Sequence, residues 1–372
     1  MIATHKIRPA RRFGPGYFIR EQLDYRQWSQ EELADITGFS QKHISEVLSD
    51  KKPVTLDMAR ILSEVFDTSA QYWLNLDSSY RLWLQAEPSE KEKDADIKSQ
   101  IYERMPVRDM VKKGWLPKPN NVKDLVAGVC AFWETKELDF TELEASQLCL
   151  TRKSEAYNQF NASYASTWYK KARTESNKIK VEKYDKQALE KLVVDLYLFT
   201  EEIEGIAAFL TELQRVGVKA MILPHLEKTY LDGAAFFDGN NPVVVYTGRY
   251  KRIDNFWFTV AHELAHVLYH INEVTPFVLD NLKDGDRNEM ENEANEMAGK
   301  WLRHDELLEA VTPYLHRLTS VQVEAIASNL QIHPSIIVGK LAHDQKISAR
   351  HIHLYNKQNV LDLIPSDYKI SG

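Results

Sequence analysis

Residues 262–266 read HELAH, a His-Glu-x-x-His pattern, inside the segment FWFTVAHELAHVLYH, which is apolar at helical spacing and contains no Gly or Pro. An α-helix turns about 100° per residue, so His262 and His266 lie one turn apart on one face, close enough to share a tetrahedral ion. Glu263 projects beside them, where a carboxylate reaches a water molecule on the metal rather than the metal itself. The pattern predicts a zinc site on a helix; the alternative is a pair of core histidines without a metal.

A third protein ligand is needed, and the downstream stretch NEMENEANEMAGKWL carries four glutamates on a predicted helix. An acid-rich helix is usually a solvated face. Here, though, Ala294 and Ala298 are small enough to let this helix pack close against the first one. We expect Glu293, next to that apolar stripe and 27 residues after His266, to complete a His2Glu set. Such a set leaves a coordination position open, as catalytic zinc sites do.

The run from Trp257 through HELAH to Glu293-Ala-Asn-x-x-Ala resembles the ImmA/IrrE family of metallopeptidases, and the resemblance extends over residues 130–345. It implies that His262, His266 and Glu293 bind Zn²⁺. It also implies that Glu263 is the base that takes a proton from the attacking water and passes it to the leaving amine. The chain departs from the family pattern at Met297, where Phe is usual, and at residues 301–304, which read WLRH instead of Leu-Leu-x-Pro.

Three short β-branched or aromatic runs, 217–224, 233–237 and 242–246, predict strands of a small sheet, as in zincins. An edge strand of such a sheet aligns the substrate backbone, although the sequence does not select which strand does so. Nor does spacing select an oxyanion-stabilising residue among His225, Tyr230 and Tyr246. His270, one turn beyond His266, is interpreted as exposed or as a partner of a ligand rather than as a ligand.

Residues 29–49 read SQEELADITGFSQKHISEVLS and predict a capped helix, a turn at Gly38 and a second helix capped by Ser40. This is the helix-turn-helix pattern; the alternative is a plain helical hairpin. The inner faces come from apolar residues, which are Leu33, Ala34, Ile36, Phe39, Ile44, Val47 and Leu48.

The same region is basic, with ten Lys or Arg against eight Asp or Glu in residues 1–60 of a chain whose net charge is −7. A basic surface neutralises phosphates. Residues 14–84 resemble the HigA-type antitoxin repressors, and this resemblance implies operator DNA, a homodimer and a toxin as partners. It also implies the DNA-contacting positions, which are Gln30, Ser40, Gln41, Lys42, His43 and Ser45.

The 372 residues suffice for two or three domains, and 44% hydrophobic residues can fill their cores. Two cysteines, Cys130 and Cys149, are too few for a disulfide framework and are expected to be reduced thiols. The sequence shows no signal peptide and no long apolar run, so we expect a cytoplasmic protein without membrane segments.

The predicted fold class is mainly α with a small β-sheet (α+β), an all-α helix-turn-helix domain preceding a zincin-like metallopeptidase domain. The charged segment 88–100 is either a solvated helix or a linker. The expected divisions are 1–86 for the helix-turn-helix domain, 87–130 for a linker and connecting helix, 131–303 for the metallopeptidase domain and 304–372 for a helical extension.

Two functions compete. In one, the chain is a DNA-binding regulator whose zinc endopeptidase hydrolyses a partner protein such as a repressor. In the other, it is a non-catalytic HigA-type antitoxin that represses its own operon and uses the peptidase-like part as a sensor or toxin-binding module. The presence of all four catalytic-type residues favours the first.

Overall fold

The computed structural model describes residues 13–85, 88–140, 159–227, 229, 231–271, 277–279, 289–348, 355 and 357–370. The chain divides into two compact units, Met1–Asp96 and Ile97–Gly372. The finer domain bounds expected from the sequence stay predictions.

The described part of the first unit begins with five helices that are joined by short turns. They are α1 (Pro15–Arg26), α2 (Gln30–Thr37), α3 (Gln41–Leu48), α4 (Leu56–Phe66) and α5 (Ala70–Leu84). Four of these helices are preceded by a residue with a hydroxyl side chain, and this hydroxyl accepts a hydrogen bond from the backbone N–H three residues later. The first N–H groups of a helix have no partner within the helix, so the cap satisfies one of them. These capping residues are Ser29, Ser40, Thr55 and Ser69.

The turn between α2 and α3 depends on Gly38, whose φ of +71° is a left-handed conformation that glycine adopts without strain. The helices close around a core that includes the fully buried Leu33, Ile44 and Trp73. Ile36, expected on an inner face, is instead 47% exposed. The sequence pattern thus predicted the two helices and most of their buried faces.

The described helices that follow, before the sheet, are α6 (Glu90–Arg104), α7 (Val107–Lys112), α8 (Val122–Trp133), α9 (Gln159–Ser176), α10 (Lys186–Val194), α11 (Leu196–Thr200) and α12 (Gly205–Arg215). Helix α6 occupies the charged segment for which the sequence left a helix and a linker open. Its composition is polar, and among its residues only Ile101 is fully buried.

The sheet has four described strands, β1 (Lys219–Ile222), β2 (Gly233–Asp238), β3 (Asn241–Tyr246) and β4 (Phe277–Leu279). Their order is β1-β3-β2-β4, with β1 parallel to β3 and the other two pairings antiparallel. The first three strands were predicted from the sequence, whereas β4 was not. It pairs with β2 over Ala234–Phe236, so β2 is an interior strand of this sheet.

Helix α13 (Ile253–Ala265) follows the sheet and runs directly into a π-helical turn (His266–His270). The described elements after β4 are α14 (Glu289–Trp301), α15 (His304–Val311), a 3₁₀ turn (Thr312–Arg317), α16 (Ser320–Leu330), α17 (Pro334–His343), α18 (Val360–Leu363) and a final 3₁₀ turn (Ser366–Tyr368).

Successive residues of a strand face opposite sides of a sheet, and in the second unit both sides of the sheet are buried. Ala235 and Val244 pack with α13 in one apolar cluster, whereas Phe236 and Val243 belong to another that includes Trp168 of α9. The central position of α13 explains why most of its residues are buried.

The structure confirms the predicted fold class, since the described chain is mainly helical with one small sheet. Within the described residues, no helix combines the length and the apolar character needed to cross a membrane.

Candidate functional site

Helix α13 carries the His-Glu-x-x-His pattern at its carboxyl end. His262, Glu263 and His266 are all at most 1% exposed, which is unusual for polar side chains. Buried polar groups need partners, so these three must meet other polar atoms or a ligand. Helix α14 packs against α13 and supplies such a partner.

The two histidine rings converge through their Nε2 atoms, which lie 2.9 Å apart. The carboxylate of Glu291 lies against both, with Oε2 at 3.2 Å from His262 Nε2 and Oε1 at 3.5 Å from His266 Nε2. One ligand atom from each of the three residues lies within 4.8 Å of the others. Two imidazoles and one carboxylate are the donors of catalytic zinc sites, so the chemistry of the set fits that ion.

Glu291 stands where the sequence analysis expected Glu293. The structure places the Glu293 carboxylate 3.1 Å from His270 Nε2 instead, with its side chain 58% exposed. Residues two apart on a helix point about 200° apart, so the two glutamates cannot both face the histidine pair. The buried Ala294 lies three residues after Glu291, which puts Glu291 on the face that packs against α13.

The charges of the cluster follow from its burial and its hydrogen bonds. Burial alone would raise the pKa of Glu291, but hydrogen bonds to His262 and His266 outweigh it and hold the pKa at about 2. Burial lowers the pKa of His266, an effect that the Glu291 carboxylate opposes. The site therefore favours an ionised Glu291 carboxylate and a neutral His266 ring, the protonation states in which these groups bind metals.

Glu263 lies against the first residue of β2. A Cβ atom placed on Gly233 would come within 2.4 Å of Glu263 Oε1 and 2.7 Å of Thr259 Cγ2. Only glycine leaves room for this carboxylate between the helix and the strand. Gly233 thus adds to the predicted site a residue that sequence reasoning missed, because a single glycine before a strand carries no specific signal.

Of the three residues considered for oxyanion stabilisation, Tyr246 is 1% exposed and donates hydrogen bonds to the Tyr250 carbonyl and to Asn255 Oδ1. Its hydroxyl is thus engaged within the core. His225 is partly buried, which lowers its pKa. Tyr230 lies outside the described residues, as does Cys149, whereas Cys130 is a half-buried free thiol.

The predicted DNA-contacting residues lie on α2, on α3 and at the cap between them. Gln41, Lys42 and Ser45 are exposed on α3, and Gln30 is exposed at the first position of α2. Ser40 is exposed, and its Oγ accepts a hydrogen bond from His43 N at 3.2 Å.

His43 differs from the other five predicted positions because it is half-buried. Its ring stacks on Phe39, with centroids 4.9 Å apart and planes 15° apart. Its Nε2 is buried and has no hydrogen-bond partner within the described protein. The outer surface of α3 therefore consists mainly of Gln41, Lys42 and Ser45.

Two family models match the chain, "Helix-turn-helix" over residues 19–73 and "IrrE N-terminal-like domain" over residues 213–337. The second range includes the histidine pair and Glu291. The HTH-type transcriptional regulator YddM of Escherichia coli (strain K12) is 35% identical over 83 residues, which cover 22% of this chain and 82% of the relative. Over its first unit, the chain belongs to the helix-turn-helix transcriptional regulators.

Two further helix-turn-helix regulators match shorter stretches of this chain. YbaQ of Escherichia coli (strain K12) is 35% identical over 65 residues, 18% of this chain and 58% of YbaQ. A Haemophilus influenzae (strain ATCC 51907 / DSM 11121 / KW20 / Rd) regulator is 36% identical over 52 residues, 14% of this chain and 49% of that protein. The chain thus spans about half the length of these two relatives. It joins a helix-turn-helix DNA-binding domain to an IrrE-like peptidase domain with a candidate His/Glu metal site.

Proposed function

We propose that the chain is a DNA-binding regulator whose second unit hydrolyses a peptide bond in a partner protein with the help of a zinc ion. The observation that carries this proposal is the convergence of His262, His266 and Glu291 within 4.8 Å, with the buried Glu263 next in sequence to a ligand. Glu291 replaces Glu293 as the proposed third ligand, because its carboxylate contacts both histidines.

Each residue has a definite role in the proposed hydrolysis. The Nε2 atoms of His262 and His266 and the carboxylate of Glu291 would hold the ion. A bound zinc ion supplies Lewis acidity toward the peptide carbonyl and lowers the pKa of water that it holds. Glu263 accepts the proton of the attacking water and donates it to the leaving amine, the two tasks of a general base and then acid. Burial of Glu263 excludes bulk water that would compete for that proton.

The proposed partners are operator DNA, bound by α3 of the first unit, and a protein substrate such as a repressor. A homodimer suits an operator with twofold symmetry. Within the first unit, the exposed Lys42 would contact phosphate, while Gln30, Ser40, Gln41 and Ser45 are proposed to lie at the DNA surface and His43 to support α3 through its stack on Phe39.

The test of hydrolysis uses the Glu263→Gln variant as a trap. Glutamine keeps the shape of the side chain but cannot accept the proton, so we expect the variant to retain zinc, to hold its partner protein and to leave it intact. Wild-type protein added to the captured partner should cleave it, which mass spectrometry of the products detects. The exposed Glu296→Gln on α14 is the matched control and should cleave normally.

Two results would contradict the proposal. If Glu263→Gln cleaves the partner at the wild-type rate, Glu263 is not the base. If the wild-type protein holds zinc and captures a partner, such as a toxin, but never cleaves it, the second unit is a binding module and not a peptidase.

A further inference from the structure

Thr259 is a buried threonine in the middle of α13, one helical turn before Glu263, and it is only 2% exposed. Residues three and four apart lie on one face of a helix, so Thr259 shares a face with His262 and Glu263. Its hydroxyl oxygen, Oγ1, is buried and has no hydrogen-bond partner among the described residues. Thr259 therefore adds an unsatisfied polar group to the face of α13 that carries a proposed ligand and the proposed base.

Three other helical threonines satisfy their hydroxyls within their own helices. The hydroxyls of Thr37, Thr167 and Thr211 donate to the carbonyl oxygen four residues back, at 2.7, 2.9 and 2.9 Å. The equivalent acceptor for Thr259 is the carbonyl of Asn255, and that bond is not made. A buried hydroxyl without a partner costs free energy, whereas a valine at the same position would not carry this cost.

The side chain of Thr259 borders the same point as the Glu263 carboxylate. A Cβ atom placed on Gly233 would lie 2.7 Å from Thr259 Cγ2 and 2.4 Å from Glu263 Oε1. The methyl group of Thr259 and this carboxylate thus meet the same residue of β2. Because the hydroxyl and the methyl group branch from one carbon, a rotation of about 120° between staggered positions can place Oγ1 where Cγ2 stands. The hydroxyl can therefore reach the side of the carboxylate without a movement of the backbone.

We propose that Thr259 is a positioning residue for the proposed base, and that its hydroxyl donates a hydrogen bond to the Glu263 carboxylate when a peptide substrate is bound. Before it takes a proton, the base can only accept hydrogen bonds, and a threonine hydroxyl can donate one. Catalytic hydrogen bonds are often long or poorly aligned without substrate and tighten when it binds. The bond holds the carboxylate in the orientation in which it takes a proton from water. This inference rests on the proposed function of the second unit.

A structural role for this hydroxyl would require a partner within the fold, as Thr167 has in the Ser163 carbonyl. Filling the space does not require the hydroxyl either, since valine is β-branched in the same way as threonine. The two roles predict different results for Thr259→Val. A structural role predicts a less stable protein, whereas a positioning role predicts slower turnover by a protein that is as stable as the wild type.

The first experiment measures steady-state cleavage of the partner protein by the full chain. Thr259→Val keeps the shape of the side chain and removes the hydroxyl, so kcat should fall about 10- to 100-fold. KM and zinc content should stay near the wild-type values, because the hydroxyl contacts neither the substrate nor a ligand. Thr259→Ser keeps the hydroxyl and should retain most of the wild-type kcat. Thr167→Val, the matched control, removes a buried helical hydroxyl that already has a partner and should leave kcat unchanged.

The second experiment measures the free energy of unfolding of the metal-free wild type and of Thr259→Val in denaturant. The variant should be at least as stable as the wild type, because the hydroxyl that it loses has no partner in the fold. A clear loss of stability in Thr259→Val would overturn the proposal, as would equal kcat values for Thr259→Val and Thr259→Ser. If the wild type cleaves no partner, the proposed function fails and this inference with it. Wild-type cleavage that Thr259→Val matches removes this inference alone.

Discussion

Glu263 occupies a space that its neighbours define closely. It is fully buried on α13, and its Oε1 lies where Gly233 of β2 leaves room for it. A general base must stand within hydrogen-bond reach of the proton that it abstracts, so small displacements of this carboxylate matter more than changes in overall stability. A substitution of Gly233 should therefore change the rate of turnover, although residue 233 does not contact the proposed metal.

We predict that Gly233→Ala lowers the rate of partner cleavage by about 100-fold, because the new Cβ displaces the Glu263 carboxylate by an ångström or more. Zinc content should stay at the wild-type level, since the three proposed ligands lie on α13, on the π turn that follows it and on α14. Steady-state cleavage and elemental analysis of the same preparation check both parts. Unchanged cleavage would show that Glu263 tolerates the displacement or does not act as the base.

His304 is a half-buried histidine outside the proposed metal site, at the start of α15. Its ring lies parallel to that of Phe258, with centroids 6.0 Å apart and planes within 2°. Burial, together with Lys340 and His343, lowers its pKa from 6.5 to about 4, while Asp344 opposes the shift. The folded protein therefore holds this ring neutral at pH values where the unfolded chain protonates it.

This pKa predicts a loss of stability in acid. Between pH 6.5 and 4 the unfolded chain binds a proton at His304 that the folded chain does not, so the free energy of unfolding falls as the pH falls through this range. Above pH 6.5 the contribution is fully present. His304→Phe should be less sensitive to acid than the wild type in denaturant titrations of metal-free protein. A stability difference between the two that is the same at pH 7 and pH 4.5 would contradict the assigned shift.

Helix α14 shows how far an element could be predicted from the sequence. The sequence predicted the helix, its alanine stripe and its packing against α13. The choice of Glu293 relied on its being adjacent to Ala294, yet neighbours in a helix point about 100° apart. Glu291, Ala294 and Ala298 are spaced by three and four residues, the spacing of a single helical face, and this spacing could have selected Glu291.

Other elements gave weaker signals. Strand β4 has three residues and no alternating pattern long enough to distinguish it from a loop, and it forms through pairing with β2. The spacing and composition of residues 266–270 do not distinguish the π turn at His266–His270 from a continuing α-helix. The His-Glu-x-x-His pattern, by contrast, could be identified from the sequence, because its spacing alone places two candidate ligands on one face of a helix.

The packing of α14 on α13 predicts the effect of a larger side chain. Ala294 is fully buried on the face that carries Glu291. Ala294→Leu should lower the free energy of unfolding by about 1–3 kcal/mol and should weaken zinc binding, because the helix must move away from the histidines. Asn295→Leu, which places a leucine at an exposed neighbouring position, is the control. Equal zinc affinity in both variants would show that Glu291 does not depend on this packing.

At the scale of the whole molecule, the chain joins two units with separate chemistry, and each can be tested in the full-length protein. The first unit should bind DNA through charge as well as shape, since Lys42 is exposed on α3. The second unit should bind zinc. The two proposals do not depend on each other.

We predict that Lys42→Gln weakens binding to the chain's own promoter DNA and lowers the slope of log affinity against log salt concentration by about 1, the effect of one lost phosphate contact. Lys191→Gln removes the same charge from an exposed position of the second unit and should leave the slope unchanged. Fluorescence anisotropy over a range of salt concentrations measures both. Equal slopes for Lys42→Gln and the wild type would exclude Lys42 from the phosphate contacts.

The most direct test of the proposed metal centre is the zinc content of purified wild type, Glu291→Ala and Glu293→Ala after dialysis against a mild chelator. Because Glu291 contacts both histidines and Glu293 contacts His270, the wild type should hold stoichiometric zinc, Glu291→Ala should lose it and Glu293→Ala should keep most of it. A Glu291→Ala protein that keeps its zinc while Glu293→Ala loses it, or a wild type that holds none after zinc is added back, would contradict the account.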